Sequence, residues 1–211
     1  MNKYSVAMNI LFLSSLTVLL FSCGGKTDMS PEKRQDIATL PCLVLLPTEI
    51  SRENSLVDSV RKENLILGAE FLDTTLKSEL DQSSVANVID PTELVPQFDE
   101  IFGGMSGVIK VIGEKTQCNN VLLTNLSDFT QRLGGEYAAE TPASTAFEFR
   151  IIEADTGNTL WSAAFNETQT ALLNNLFAFG KAKSRGFKWI TVEELAAQGV
   201  KEKLKGCPYL Y

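Results

Sequence analysis

Residues 147–168 read FEFRIIEADTGNTLWSAAFNET, and this stretch says most about the fold. It begins with FEFRI, which alternates apolar and charged side chains and is typical of a β-strand with one buried face. The cluster DTGN at residues 155–158 contains residue types that form tight turns. The run 160–168 that follows has one apolar face, formed by Trp161, Ala163 and Phe165. The stretch therefore predicts an antiparallel β-hairpin.

Short continuous apolar runs elsewhere in the chain predict three more strands. They lie at residues 42–46, 85–89 and 119–126, and Pro47 stops the first of them. Such runs are typical of parallel strands that are buried on both faces of a sheet. We therefore expect a mixed sheet in which the early strands are parallel and the hairpin is antiparallel.

Apolar residues at helical spacing predict helices between and after these strands. The clearest set is Leu65, Ala69, Leu72, Leu76 and Leu80. A second helix is predicted to start at Asp90, and a third to follow a flexible turn at 103–107 and bury Val108, Ile109 and Ile112. Two more are expected, over residues 170–179 and from a capping box at 191–194, the last one burying Val192, Leu195, Ala196 and Val200.

The resulting order is β-α-β-α-α-β-β-β-α-α. Strands that alternate with helices favour crossover connections, and the sequence shows no internal repeat. We therefore predict the α/β class, as a single sandwich in which helices flank a mixed sheet. Residues 41–211 are expected to form this one domain.

The first residues of the chain predict export and lipidation. Lys3 provides a short positive region, residues 7–21 are almost entirely apolar, and the segment ends in LFSC at residues 20–23. This ending resembles the bacterial lipobox. An ordinary secretory signal or a membrane anchor with a chance cysteine is the alternative.

The lipobox resemblance implies that residues 1–22 are removed and that Cys23 carries acyl chains, palmitate among them. Residues 23–40, which are polar with no hydrophobic period, would then be a tether between the lipid and the domain. Gly24 in place of Asp after the cysteine favours the outer membrane over the inner one. The predicted location is therefore the outer membrane, with the domain facing the periplasm.

Composition excludes several classes of function. Without residues 1–22 the chain has 18 basic and 26 acidic side chains, a net charge of −8, which disfavours nucleic acid as a partner. It contains no histidine, so Ser-His-Asp hydrolysis and histidine-ligated zinc or haem are excluded. We expect no catalytic activity, no metal and no cofactor.

Three cysteines besides Cys23 are available for a disulfide in an oxidising compartment. Cys42 and Cys118 each precede a strand-like apolar run, so parallel neighbouring strands would bring them together. Cys207 follows the final helix and could instead reach either one, so the pairing stays open. The alternative is that all three are small buried residues.

The segment 177–189 is an island of basic and aromatic residues in an acidic chain. Such a mixture suits a protein interface or the headgroup layer of a membrane. The alternative is that the aromatic rings cap the core and the cations are solvated. The candidate interface residues are Phe177, Phe179, Lys181, Lys183, Arg185, Phe187, Lys188 and Trp189.

The stretch RLGGEY at residues 132–137 precedes the hairpin. Arg132, Glu136 and Tyr137 would either line a small polar pocket or belong to a connector with one surface ion pair. For paired-carboxylate chemistry, Asp128 and Glu136 are the nearest candidates.

The element order, together with IEADTGNTLWS at residues 152–162, resembles a group of periplasmic lipoprotein domains. The group includes the curli-secretion lipoprotein, the lipoprotein activators of penicillin-binding proteins and the N-terminal domain of the Tol-system propeller protein. The resemblance covers residues 41–168 and implies fold rather than activity. PAS at 142–144, NNLF at 174–177, RGFKW at 185–189 and CPY at 207–209 resemble a lipoprotein family of environmental Gram-negative bacteria.

Two functions are consistent with these features. The first is an outer-membrane-anchored interaction or assembly module of the cell envelope, with an envelope protein as partner. The alternative is a binding protein for a small envelope-derived ligand, a glycan or lipid fragment, which predicts an apolar pocket. Whether the domain forms homo-oligomers stays open.

Overall fold

The computed structural model describes residues 40–51, 59–83, 87–90, 104–170, 180, 183, 186 and 188–211. The chain divides into residues 1–36 and residues 37–211, and the first unit lies wholly outside the described residues. The predicted signal peptide, Cys23 and the tether up to residue 39 are therefore outside them. So are residues 91–103 and 171–179, where two of the helices were predicted.

A six-stranded mixed sheet forms the centre of the described fold. Its order is β3-β1-β4-β7-β8, and β2 pairs with the middle of β4. The pairs β1–β3, β1–β4 and β2–β4 are parallel, whereas β4–β7 and β7–β8 are antiparallel. The six strands are β1 (Leu43–Leu45), β2 (Glu49–Ile50), β3 (Val88–Ile89), β4 (Asn120–Thr130), β7 (Ser144–Glu153) and β8 (Thr159–Thr168).

The predicted hairpin is present as β7 and β8. Phe147 lies opposite Phe165, and Phe149 opposite Ala163. The apolar residues of β7 are buried while Glu148 and Arg150 are exposed, as the alternation predicted. The ring centroids of Phe147 and Phe165 are 5.2 Å apart. The hairpin therefore contributes one apolar face to the core.

In the ranges that the structure describes, three helices flank the sheet: α1 (Ser59–Leu80), α2 (Gly104–Thr116) and α3 (Val192–Lys205). Leu43 and Leu45 belong to the cluster that contains the inner faces of α1 and α3. Val44 belongs to the cluster that contains the inner face of α2. Because successive side chains of a strand point to opposite faces, the helices cover both faces of the sheet. The predicted fold class, an α/β sandwich with a mixed sheet, is confirmed.

The apolar patterns of α1 and α3 are also confirmed. All five apolar residues predicted to face inward on α1 are buried, and so are the four on α3. The capping box is formed, with the Thr191 hydroxyl accepting from the Glu194 N–H and the Glu194 carboxylate accepting from the Thr191 N–H. Gly206 caps the end of α3.

The structure corrects the prediction at several boundaries. α2 begins at Gly104, so residues 104–107 are helical instead of a flexible turn. β4 continues to Thr130, because its polar second half pairs with β7. A separate two-stranded sheet, β5 (Leu133–Gly134) with β6 (Ala139–Thr141), was not predicted, since strands this short show no periodicity. Among the described residues no helix is long and apolar enough to cross a bilayer.

Candidate functional site

The chain after β4 is joined to the start of α3 by the side chain of Gln131. Its Oε1 accepts from the backbone N–H groups of Arg132 (3.1 Å) and Val192 (3.2 Å). Its Nε2 donates to both carboxylate oxygens of Glu193, at 3.0 and 3.2 Å. One amide thus fixes the end of a central strand against the first turn of the last helix.

A second glutamine, Gln169, fixes the residues just before α3. It is 7% exposed, directly after β8. Its Nε2 donates to the Lys188 carbonyl (2.8 Å), and its Oε1 accepts from the Ile190 N–H (3.0 Å). Its own N–H donates to the Ala143 carbonyl (2.9 Å), so it is also tied to the start of β7. Lys188 and Trp189 are therefore held against the body of the domain.

The β5–β6 connector meets these residues from the other side. The Trp189 N–H donates to the Glu136 carbonyl (2.7 Å), and the Lys188 Nζ lies 2.9 Å from the Glu136 carboxylate. The Lys188 Nζ also lies 5.7 Å from the centre of the Tyr137 ring, within cation–π range. The connector with a surface ion pair is thus present, and its cation comes from the basic island.

The ion pair shifts the pKa of both Glu136 and Lys188. The hydrogen bond and charge of Lys188 lower the pKa of Glu136, and those of Glu136 raise the pKa of Lys188. Each shift favours the charged form, so the pair persists across neutral pH. Both side chains are about half exposed, at 44% and 51%, so solvent and salt screen the attraction. The backbone and glutamine hydrogen bonds, rather than this pair, fix the geometry.

Two large apolar side chains are exposed on the connector. Leu133 is 60% and Tyr137 is 75% exposed. The turn between β5 and β6 requires Gly134, because its φ is +101° and a Cβ there would lie 2.6 Å from the Ala138 carbonyl oxygen. We call Leu133, Tyr137, Lys188 and Trp189 the docking surface. It combines apolar, aromatic and cationic groups on a backbone held by hydrogen bonds.

The predicted interface is only partly described. Lys188 and Trp189 lie in the docking surface, and Lys183 is exposed. The other candidates, Phe177, Phe179, Lys181, Arg185 and Phe187, lie outside the described residues. Leu133 and both glutamines were not predicted, because a glutamine at a strand end carries no sequence pattern that marks its bonds to distant backbone.

Cys42 and Cys118 form a disulfide, with their Cα atoms 5.9 Å apart. They come together because β1 and β4 are parallel neighbours, and Cys42 lies directly before β1 while Cys118 lies two residues before β4. Cys207 is free and buried in the α1–α3 cluster, whereas Cys118 lies in the α2 cluster on the other face of the sheet. The sheet thus separates Cys207 from the pair. Burial raises the pKa of the Cys207 thiol, which keeps it protonated.

The two candidate carboxylates have different partners. Asp128 accepts hydrogen bonds from the hydroxyls of Thr130 and Ser144, whereas Glu136 pairs with Lys188. Each carboxylate is therefore engaged with its own side-chain partners, and none of these contacts joins the two carboxylates. No group of acidic or cysteine side chains suited to a metal ion occurs among the residues that the structure describes.

No family model matches this chain, and no curated protein matches it either. Several solved bacterial structures are similar in fold. PelC from Paraburkholderia phytofirmans, solved as a dodecamer, is 12% identical over 82% of this chain and 89% of its own, with a TM-score of 0.47. Lipoprotein GNA1162 from Neisseria meningitidis is 12% identical over 70% and 94%, with a TM-score of 0.42. The LpoB C-terminal domain from Escherichia coli is 13% identical over 64% and 87%, with a TM-score of 0.42. At such identities and TM-scores these similarities carry no argument about function.

Proposed function

We propose that this protein is a lipid-anchored interaction module of the bacterial cell envelope, without catalytic activity. Its anchor is Cys23, at the end of the lipobox-like segment, and its place is the outer membrane with the domain in the periplasm. The partner is an envelope protein. The observation that carries the proposal is the docking surface.

The docking surface has the composition of a protein interface. Exposed Leu133 and Tyr137 offer apolar and aromatic area, the cation of Lys188 lies 5.7 Å from the Tyr137 ring, and the Trp189 backbone is bonded to Glu136. Aromatic residues are enriched at interfaces and frequently dominate their binding energy. Because hydrogen bonds already fix the surrounding backbone, little backbone conformational entropy remains to be lost on binding.

The chemistry of the chain supports binding over catalysis. It has no histidine, and each of the two candidate carboxylates is occupied by a neighbouring side chain. The strongly acidic composition supports a protein partner rather than a nucleic acid.

The proposal is tested by crosslinking in native envelopes with paired variants of the full-length lipoprotein. Leu133→Ser with Tyr137→Ser removes the apolar part of the docking surface. The matched control is Ile66→Ser with Leu67→Ser, which removes two exposed apolar residues of α1 at 42% and 55% exposure. Proteins crosslinked to each variant are identified by mass spectrometry, and folding is checked by thermal unfolding.

We expect a recurrent envelope protein with the wild type and the α1 control, and at least a tenfold lower yield with the docking-surface variant, as for loss of an interface hot spot. Equal yields for both variants would contradict the proposal. Recovery of the lipoprotein without any protein partner would favour the alternative, a small envelope-derived ligand. Intact mass of the purified protein reports separately whether Cys23 is acylated.

A further inference from the structure

We propose that Gln169 is the positioning residue of the docking surface, which it fixes through the backbone of residues 188–190. This inference rests on the proposed function for its biological meaning and on the hydrogen bonds of Gln169 for its physical basis. Gln169 does not belong to the exposed surface, and no motif in the sequence marks it.

Gln169 joins two described parts of the chain, the end of β8 and the residues before α3. Gln169 directly follows β8, and Lys188 and Ile190 precede α3. The Gln169 side-chain amide donates to the Lys188 carbonyl at 2.8 Å and accepts from the Ile190 N–H at 3.0 Å. The side-chain amide therefore bonds one carbonyl and one N–H of the backbone at residues 188–190, as the backbone of a neighbouring β-strand would. Any displacement of Gln169 is therefore passed to Lys188 and Trp189.

An amide supplies both the donor and the acceptor that this site needs at neutral pH, whereas an ionised carboxylate supplies acceptors alone. The site presents one acceptor, the Lys188 carbonyl, and one donor, the Ile190 N–H. An ionised carboxylate of the same shape accepts from Ile190 but places negative charge against the carbonyl of Lys188. Since Gln169 is nearly fully buried, water does not compensate for that loss.

Gln169→Glu is therefore the informative variant, because its carboxyl group regains the missing donor when it is protonated. Hydrogen exchange of residues 188–192, corrected for the intrinsic rate at each pH, measures how well the Trp189 and Ile190 amides are protected by their hydrogen bonds. Crosslinking through a photoreactive phenylalanine derivative at position 137 reads partner binding. Gln82→Glu, the same substitution at an exposed glutamine that caps the end of α1, is the matched control.

At pH 7.5 we expect Gln169→Glu to exchange these amides roughly tenfold faster than the wild type and to lose most of the crosslinked product, while thermal unfolding stays cooperative. At pH 5, where more of the buried carboxyl is protonated, both readouts should return toward the wild type. Gln82→Glu should match the wild type at both pH values.

Unchanged exchange in Gln169→Glu at pH 7.5 would overturn the positioning role, and so would faster exchange with full crosslinking. A loss that does not recover at pH 5 would also overturn it, since it would indicate general damage to packing. If the wild type itself gives no crosslink from position 137, the proposed function fails, and the exchange data alone then decide whether Gln169 positions this backbone.

Discussion

Thr124, in the middle of β4, is a buried polar residue whose hydroxyl lacks a hydrogen-bond partner in the part of the chain that the structure describes. It is only 2% exposed. A buried hydroxyl without a partner lowers stability, because it has lost its bonds to water.

Thr124→Val keeps the shape of the side chain and removes the hydroxyl. We expect it to raise the free energy of unfolding by roughly 1 kcal/mol, measured by urea denaturation. Thr124→Ser, which keeps the hydroxyl and loses the methyl group, should lower it. A less stable valine variant would show that the hydroxyl is satisfied in solution.

Asp73, unlike Thr124, has hydrogen-bond partners for its side chain, but its carboxylate is partly removed from solvent. It accepts from the Thr48 N–H (2.8 Å) and the Thr48 hydroxyl (2.6 Å), which fixes the chain between β1 and β2. Burial raises the pKa of Asp73, the Thr48 hydrogen bonds lower it in part, and the charges of Asp90 and Glu70 raise it further. The folded state therefore binds this proton more tightly than the unfolded chain does.

The sign of the pH dependence follows from that difference. Stability from Asp73 is highest at low pH and falls as pH rises from the ordinary value of 3.8 through the higher folded pKa. Asp73→Asn keeps the acceptor oxygen without the charge, so its stability should exceed that of the wild type increasingly over this range. Asp73→Ala should be less stable than the wild type by roughly 1–3 kcal/mol at low pH, because Thr48 loses its acceptor, and this deficit should shrink as pH rises. Urea unfolding from pH 3.5 to 7 measures both, and parallel wild-type and asparagine curves would contradict the assignment.

At the scale of elements, close backbone approach depends on a few glycines. A Cβ at Gly199 of α3 would lie 2.7 Å from the Phe165 ring of β8. Gly199→Ala should gain about 1 kcal/mol of helix propensity and lose more to overpacking, for a net loss of about 1–2 kcal/mol.

Whether overpacking against the Phe165 ring causes this loss is tested by combining Gly199→Ala with Phe165→Leu, since the smaller side chain leaves room for the methyl group. The four proteins compared are the wild type, the two single variants and the double variant. Thermal or urea unfolding of the four proteins gives the coupling energy between the two sites. Additive effects would show that the loss at Gly199 arises elsewhere than at the Phe165 ring.

Elements with many periodic residues could be predicted from the sequence, and elements without them could not. α1, α3 and the β7–β8 hairpin each bury one regular apolar face, so their patterns were sufficient. β2 has only two residues, shortly after Pro47, and it is a strand because Glu49 and Ile50 pair with Asn125 and Leu126 of β4. That pairing is a long-range contact which local sequence does not encode.

At the scale of the whole molecule, the Cys42–Cys118 disulfide joins the starts of β1 and β4 across a sequence separation of 76 residues. Closing a loop of this length restricts the unfolded chain, and a native disulfide typically contributes about 2–4 kcal/mol. We expect reductant to lower the free energy of unfolding by that amount.

The variant Cys42→Ala with Cys118→Ala provides the control for this effect. It should unfold at the lower denaturant concentration with or without reductant, since the buried Cys207 has no partner to reduce. A wild type that is insensitive to reductant while the variant is destabilised would indicate packing rather than the covalent link.

The candidate site was predictable only in pieces. The basic-aromatic composition of 177–189 and the connector at 132–137 were both visible in the sequence. Their meeting at Glu136 and Lys188 was not, because it depends on the hydrogen bonds of Gln131 and Gln169. Side-chain amides that bond to distant backbone leave no periodic trace, so they emerge only from the tertiary structure.

Photocrosslinking in intact envelopes tests whether the docking surface binds a partner. The photoreactive residue is placed in the full-length lipoprotein at position 137 or at position 211. Both positions hold exposed tyrosines, at 75% and 53%, but Tyr211 lies beyond the C-terminal end of α3 while the docking surface lies at its N-terminal end. We predict one recurrent envelope-protein adduct from position 137 and none from position 211. Equal adducts from both positions, or an adduct from position 211 alone, would contradict the assignment of this surface.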